Sequence, residues 1–126
     1  MWEVRVELEC LNVRNAVKNF TREKFKVLKK KYDLYSSYKP EYTDRKNLEL
    51  DMDMHLEIAR MGENQFSYTF LRTVLEHIHF MCRLERGVDR RKEEIEYEHR
   101  EVVECIGKRD VEKAEKVMRD HIEALH

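Results

Sequence analysis

Residues that break helices are almost missing from this chain. It has three glycines and one proline in 126 residues, at Gly62, Gly87, Gly107 and Pro40. Proline lacks a backbone donor and glycine loses the most conformational freedom on ordering, so both gather in turns. A chain with so few has few places to reverse, and long helices are the architecture left open to it. The first helix is expected from Trp2 to about Phe20, and the second from its N-cap Thr21 to about Tyr38, before Pro40 breaks the chain. The third runs from about Asp44 to Met61 and stops at Gly62. Asn64 caps a fourth that continues to about Arg86, with Gly87 as its stop. The fifth spans about Asp89 to Ile106 and ends at Gly107, and Asp110 caps the sixth, which reaches the C-terminus. The expected class is all-α: one domain over residues 1–126, an antiparallel bundle of about six helices.

Charge excludes some functions. With 25 Lys and Arg against 26 Asp and Glu, the net charge is −1. Coating nucleic acid or an anionic membrane needs a surplus of cations to release counterions, and there is none. The basic run Lys29, Lys30, Lys31 borders an apolar stripe of Phe25, Leu28, Tyr32 and Tyr35, and reads as a solvated helix face. Cys10, Cys82 and Cys105 are odd in number and far apart, as buried thiols in a reducing cytosol would be. No apolar run is long enough for a membrane span, and the acidic start MWEVRVELE is unlike a signal peptide, so the cytoplasm is expected.

The informative residues are ionisable side chains lying in apolar stripes. The last helix has the ladder Val111, Ala114, Met118, His121, Leu125, with His121 in a core slot. The fifth has Ile95, His99, Val102 and Ile106, again with a histidine among aliphatics. In the third, Asp51 and His55 sit four residues apart beside Leu48, Met52, Ile58 and Ala59. Each histidine taken singly reads as a hydrogen-bonded core residue. Taken together, an Asp and three His converging from three helices are also satisfied by one divalent ion, and imidazole with carboxylate suits Zn, Ni, Co, Mn or Fe.

Two further features bear on a ligand. In the first helix, Arg5, Glu9 and Asn12 lie between the flank Val6, Cys10, Val13 and the flank Val4, Leu8, Leu11, so they point inward. Arg5–Glu9 is either a simple i, i+4 ion pair or an arginine fork aimed at a carboxylate ligand. In the fourth helix, His77 falls with Phe70, Val74, Met81 and Leu84 on what reads as the buried face, where it would line a cavity. His79 falls with Arg72, Glu76, Arg83 and Arg86 on what reads as the exposed one.

These residues resemble a family. DMDMHLEIARMGEN is similar to the D-x-x-x-H…(S/G)GN segment of the FCD domain, the C-terminal effector domain of FadR-type GntR transcription regulators. EHREVVECIGKRDVEKAEKVMRDHIEAL resembles the family's closing EH…H pattern, with His99 and His121 22 residues apart, and WEVRVELE its opening E-x-R-x-x-L-E. The resemblance covers essentially the whole chain. It implies a helical bundle around a metal and effector cavity, of the six-helix VanR-like type. It puts Asp51, His55, His99 and His121 on the family's metal-ligand positions, for one divalent ion, zinc or nickel first, then manganese, cobalt or iron. It further implies a small carboxylate effector completing the coordination, with Arg5 and His77 as effector-binding candidates. A homodimer is implied too, and DNA binding through a winged helix-turn-helix domain that is absent from these 126 residues. One departure stands out: Met54 replaces the aromatic that usually precedes the first histidine.

The resemblance makes a sensing domain, not an enzyme, the leading reading. Two rivals stand beside it. A di-iron helical-bundle enzyme would use Glu96-x-x-His99, but its second match, Glu123-x-x-His126, ends on the last residue. Glu96 and Glu98, as possible general bases, project off the buried stripe. The third reading is a metal-free interaction module with core histidines.

Overall fold

The computed structural model describes residues 1–38, 44–84 and 92–125. They form α1 (Trp2–Lys18), α2 (Arg22–Ser37), α3 (Arg45–Met61), α4 (Gln65–Leu84), α5 (Lys92–Gly107) and α6 (Val111–Leu125), with no strand among them. The expected break at Pro40, the stop at Gly87, the ends at Arg86 and Asp89, and His126 lie outside the described residues, as does the side chain of Cys82.

Short polar side chains start most of these helices by accepting otherwise orphaned amide hydrogens. Thr21 accepts from the Lys24 amide at 3.1 Å and Asp44 from that of Asn47 at 3.2 Å. Asn64 Oδ1 accepts from the amides of Phe66 and Ser67 at 3.0 and 3.1 Å, and Asp110 Oδ1 from that of Lys113 at 3.2 Å. The helix stops are less direct. Gly62 and Gly107 are not the left-handed residues; Glu63 and Arg109 are, each at φ 59°. After α5, the Asp110 amide donates to Cys105 O and the Arg109 amide to Ile106 O, closing the last turn. The glycines are required by close packing instead. A Cβ on Gly62 would lie 2.7 Å from Asn15 Cβ, and one on Gly107 2.7 Å from the Phe25 ring.

Helix neighbours define a closed ring. α1 packs on α6, α6 on α5, α5 on α2, α2 on α3, and α3 back on α1. The main core fills the ring with Cys10, Val13, Leu28, Ile58, Ile106 and Met118, among others. α4 stands outside it, resting on α1 and α3 through Leu71 and Leu75 against Leu56 and Ala59.

That position corrects the expected faces of α4. Leu71, Leu75, Ile78 and His79 are buried, whereas His77, Phe70 and Met81 are exposed. His77 and His79 therefore exchange the places read from the sequence. Both sides of α4 are apolar enough to be a core face, and periodicity alone cannot say which one meets the bundle. Cys10 and Cys105 are buried free thiols, as expected. Val4 is half exposed, so the α1 flank that holds it is covered only from Leu8 onward.

Candidate metal and effector site

All five ring helices send a polar or aromatic group to the middle. Asp51 and His55 come from α3, His99 from α5, His121 from α6, Arg5, Glu9 and Asn12 from α1, and the Tyr35 ring from α2. The ligand atoms of His55, His99 and His121 lie within 4.8 Å of one another, and all three side chains are buried. His55 Nε2 is 3.0 Å from His99 Nε2. Asp51 Oδ1 is 2.9 Å from His99 Nε2 and 3.4 Å from His55 Nε2. The His55 and His121 rings stack, His99 meets both of them edge-on, and Tyr35 meets His99 edge-on with centroids 4.7 Å apart. The structure thus brings together the Asp and three His singled out by the ladders.

The far sides of two rings are held by carboxylates. Glu9 Oε1 accepts from His55 Nδ1 at 2.8 Å, and its other oxygen accepts from Arg5 Nε at 3.1 Å. Glu98 Oε1 accepts from His121 Nδ1 at 2.7 Å. A hydrogen on Nδ1 leaves the lone pair of His121 on Nε2, the nitrogen turned to the cluster, and that atom has no hydrogen-bond partner. Glu98 was read as projecting away from the core. The α5–α6 packing corrects this, because it brings Glu98 from the side of its helix onto the neighbouring ring.

Burial and charge work against each other here. Burial alone would raise the Glu9 carboxyl, but the charge and hydrogen bond of His55, then Arg5, hold it at about 2. His55 is lowered by burial and raised further by Glu9 and Asp51, ending at about 9. Asp51, despite burial, is held well below the carboxylate range by His55 and His99. His121 is pushed down to about 3, by burial first and then by the charge of neighbouring His99, against the pull of Glu98. Burial lowers His99 too, with Asp51 opposing.

The donor set fits a metal ion. Neither Asp51 oxygen makes an aligned hydrogen bond although both lie against imidazole nitrogens. Two nitrogens 3.0 Å apart can share at most one proton. Separations of 2.9 to 3.4 Å are those of adjacent ligands on an ion with bonds of about 2.1 Å. His55, His99 and His121, with Asp51, could hold such an ion.

Unmatched groups extend along α1. Arg5 is fully buried and held through Nε, while Nη1 and Nη2 have no partner. Both amide atoms of the buried Asn12 are unmatched as well. A buried donor without an acceptor costs roughly 1–3 kcal/mol, so an interior ligand with carboxylate oxygens would be favoured by Arg5. His79, not His77, reaches the cluster: its Nε2 lies 3.3 Å from Asp51 Oδ2. On its other side it lines a surface pocket of about 370 Å³ with Arg45, Met52, Glu76 and Phe80.

A protein-family model described as the FCD domain matches residues 1–124. The chain belongs to the FCD family. No curated protein matches it. FCD domains are the effector-binding and sensing domains of GntR-type regulators, regulatory ligand binders and not enzymes, and they often bind metal. Dimerisation goes with that role, and DNA is bound through a separate domain. No helix of this FCD domain, among the described residues, is long and apolar enough to cross a membrane.

Of the groups around the cluster, Glu9 and Asn12 were legible as inward-facing on the α1 wheel, though not as part of a site. Glu98 was read as lying off the buried stripe, Tyr35 only as part of an apolar stripe and His79 as exposed; none was read as part of the site, since each reaches the cluster across a helix interface.

Proposed function

We propose that this FCD domain senses a small carboxylate through a bound divalent ion, zinc or nickel first, held by Asp51, His55, His99 and His121. The observation that carries this is the His121 Nε2 lone pair and the two Asp51 oxygens, buried together without aligned hydrogen bonds. When bound, the ion supplies Lewis acidity and most of the attraction for an anion. Arg5 turns its two unmatched amino groups to the carboxylate and fixes its orientation. Glu9 holds Arg5 and His55 at once, so the anion-binding group and one metal ligand share a single support. Glu98 keeps His121 in the ligating tautomer. The closed ring of helices excludes water, which strengthens each of these interactions. A carboxylate that prefers one arrangement of these helices would shift the geometry of a dimer, and so the spacing of attached DNA readers.

Elemental analysis of the untagged protein beside the Asp51→Ala, His99→Ala double variant tests the reading. The expected result is about one divalent ion per chain in the parent and none in the variant. No metal after incubation with zinc or nickel would overturn it, and two irons per chain would replace it with a di-iron enzyme.

A further inference from the structure

A site enclosed by a ring of helices needs a way in. One end of the ring is stopped by Leu48, Ile95 and Leu125, from the start of α3, the start of α5 and the end of α6. Toward the other end lie Val13, Ile58, Ile106 and Met118 of the main core, and a close-packed core does not pass an ion with its water. The side between α3 and α4 is different. His79 reaches through it to Asp51, with Nε2 3.3 Å from Oδ2 and no aligned hydrogen bond to hold it there. The ring is 7% exposed, and its outer side lines the surface pocket of about 370 Å³. A single imidazole therefore stands between Asp51 and that pocket. Two other surface pockets, one at the α3–α4 corner and one between α1 and α6, are lined by no residue of the cluster.

We propose that His79 is a gate, and that the ion, with the carboxylate after it, passes between α3 and α4 when this ring swings out into the pocket. The inference rests on the metal reading above and adds the route to it. The pocket has room for a swung imidazole and several waters, each of which takes roughly 30 Å³ in the liquid. Its walls can give. Met52 is unbranched and adaptable, and the Phe80 ring is half exposed. The aliphatic contacts that fix α4 lie earlier in the helix, where Leu71 and Leu75 meet Leu56 and Ala59. His79 comes one turn after Leu75 and faces the pocket instead. At the mouth, Glu49 pairs with Arg45 at 3.2 Å and Glu76 with Arg72 at 3.0 Å. An arriving cation thus meets carboxylates and an arriving anion meets guanidinium groups, with neither sign dominating. A gate differs in its energetics from a support of Asp51. Removing a gate lowers the barrier in both directions and leaves the affinity in place, whereas removing a support changes the affinity itself.

Stopped-flow uptake of zinc alone by the chelated protein, and its removal by excess chelator, test the gate. His79→Ala should speed uptake and removal together, each at least about 10-fold, with the equilibrium Kd within about 3-fold of the parent. Glu76→Trp fills the mouth from an exposed position and should slow both at least about 3-fold at unchanged affinity. Ile106→Val, a buried change two turns from His99, should leave both rates near those of the parent. Rates indifferent to residue 79, an unslowed Glu76→Trp, or a His79→Ala effect no larger than that of Ile106→Val would overturn the gate. So would faster removal at unchanged uptake with a Kd weakened in step, which makes His79 a support of Asp51. Each of these outcomes leaves the metal reading standing. Zinc that binds neither parent nor variants overturns that reading, and the gate with it. If His79→Ala fails to fold, Glu76→Trp decides, since it alters an exposed residue only.

Discussion

His121 shows how much one side chain is asked to do by its surroundings. It is buried, hydrogen-bonded at Nδ1 to Glu98, and bare at Nε2. If Glu98 holds the ligating tautomer, Glu98→Gln should lower zinc affinity about 10- to 100-fold with the helical content unchanged, as measured by competition with a chelating dye. Equal affinity would assign Glu98 to the surface. The same residues give the metal-free protein a pH dependence. His121 stays neutral when folded down to about 3, while the unfolded chain protonates it at 6.5. Stability is therefore lost as pH falls below about 6.5. Glu9, at about 2 against 4.5, adds a second loss below about 4.5. His55 has the opposite sign: raised from 6.5 to about 9, it contributes stability below 6.5 that is lost as pH rises through 9. The Tm of chelated protein should peak near about pH 6.5, and a flat profile from about pH 4 to about 9 would refute this.

At the scale of the helices, glycine acts through packing. Gly62 lets the α3–α4 corner approach α1, where an added methyl would meet Asn15 Cβ, an atom fixed by its own backbone. Gly107 faces the tip of the Phe25 ring, which can swing aside. Gly62→Ala should therefore cost about 1–3 kcal/mol and Gly107→Ala clearly less, read from urea unfolding. The reverse order would show that the α1 contact yields more easily than the ring. Helices and caps were legible in the sequence because they depend on local chemistry: Thr21, Asp44, Asn64 and Asp110 satisfy amides two or three residues away. The ladders of α5 and α6 were legible too, since each has one apolar stripe with His99 or His121 in it. α4 was not, because it has two, and only the helices packed on it choose between them.

For the whole molecule, a ring of five helices around ionisable groups makes stability and ligand binding one quantity. A ligand of the folded state at about 100 times its Kd adds about 2.7 kcal/mol. Zinc or nickel should accordingly raise the Tm of chelated protein by roughly 10 °C, and Asp51→Ala should abolish the rise. A small carboxylate from a screen should raise it further with metal present and not without. A carboxylate shift that survives chelation would detach the anion site from the metal.

The class, the capped starts of α2, α3, α4 and α6, and the inward placement of Asp51, His55, His99 and His121 were legible in the sequence alone. Scarce breakers, cap residues and periodic ladders act within a few residues, and they leave their record there. Tertiary structure alone decided what surrounds that set. Glu9 meets His55 across 46 positions, Glu98 meets His121 across 23, and His79 rather than His77 reaches Asp51. Periodicity gives the angle of a side chain about its own helix axis. Which neighbour stands at that angle depends on how the helices are arranged, and burying their apolar faces together settles that.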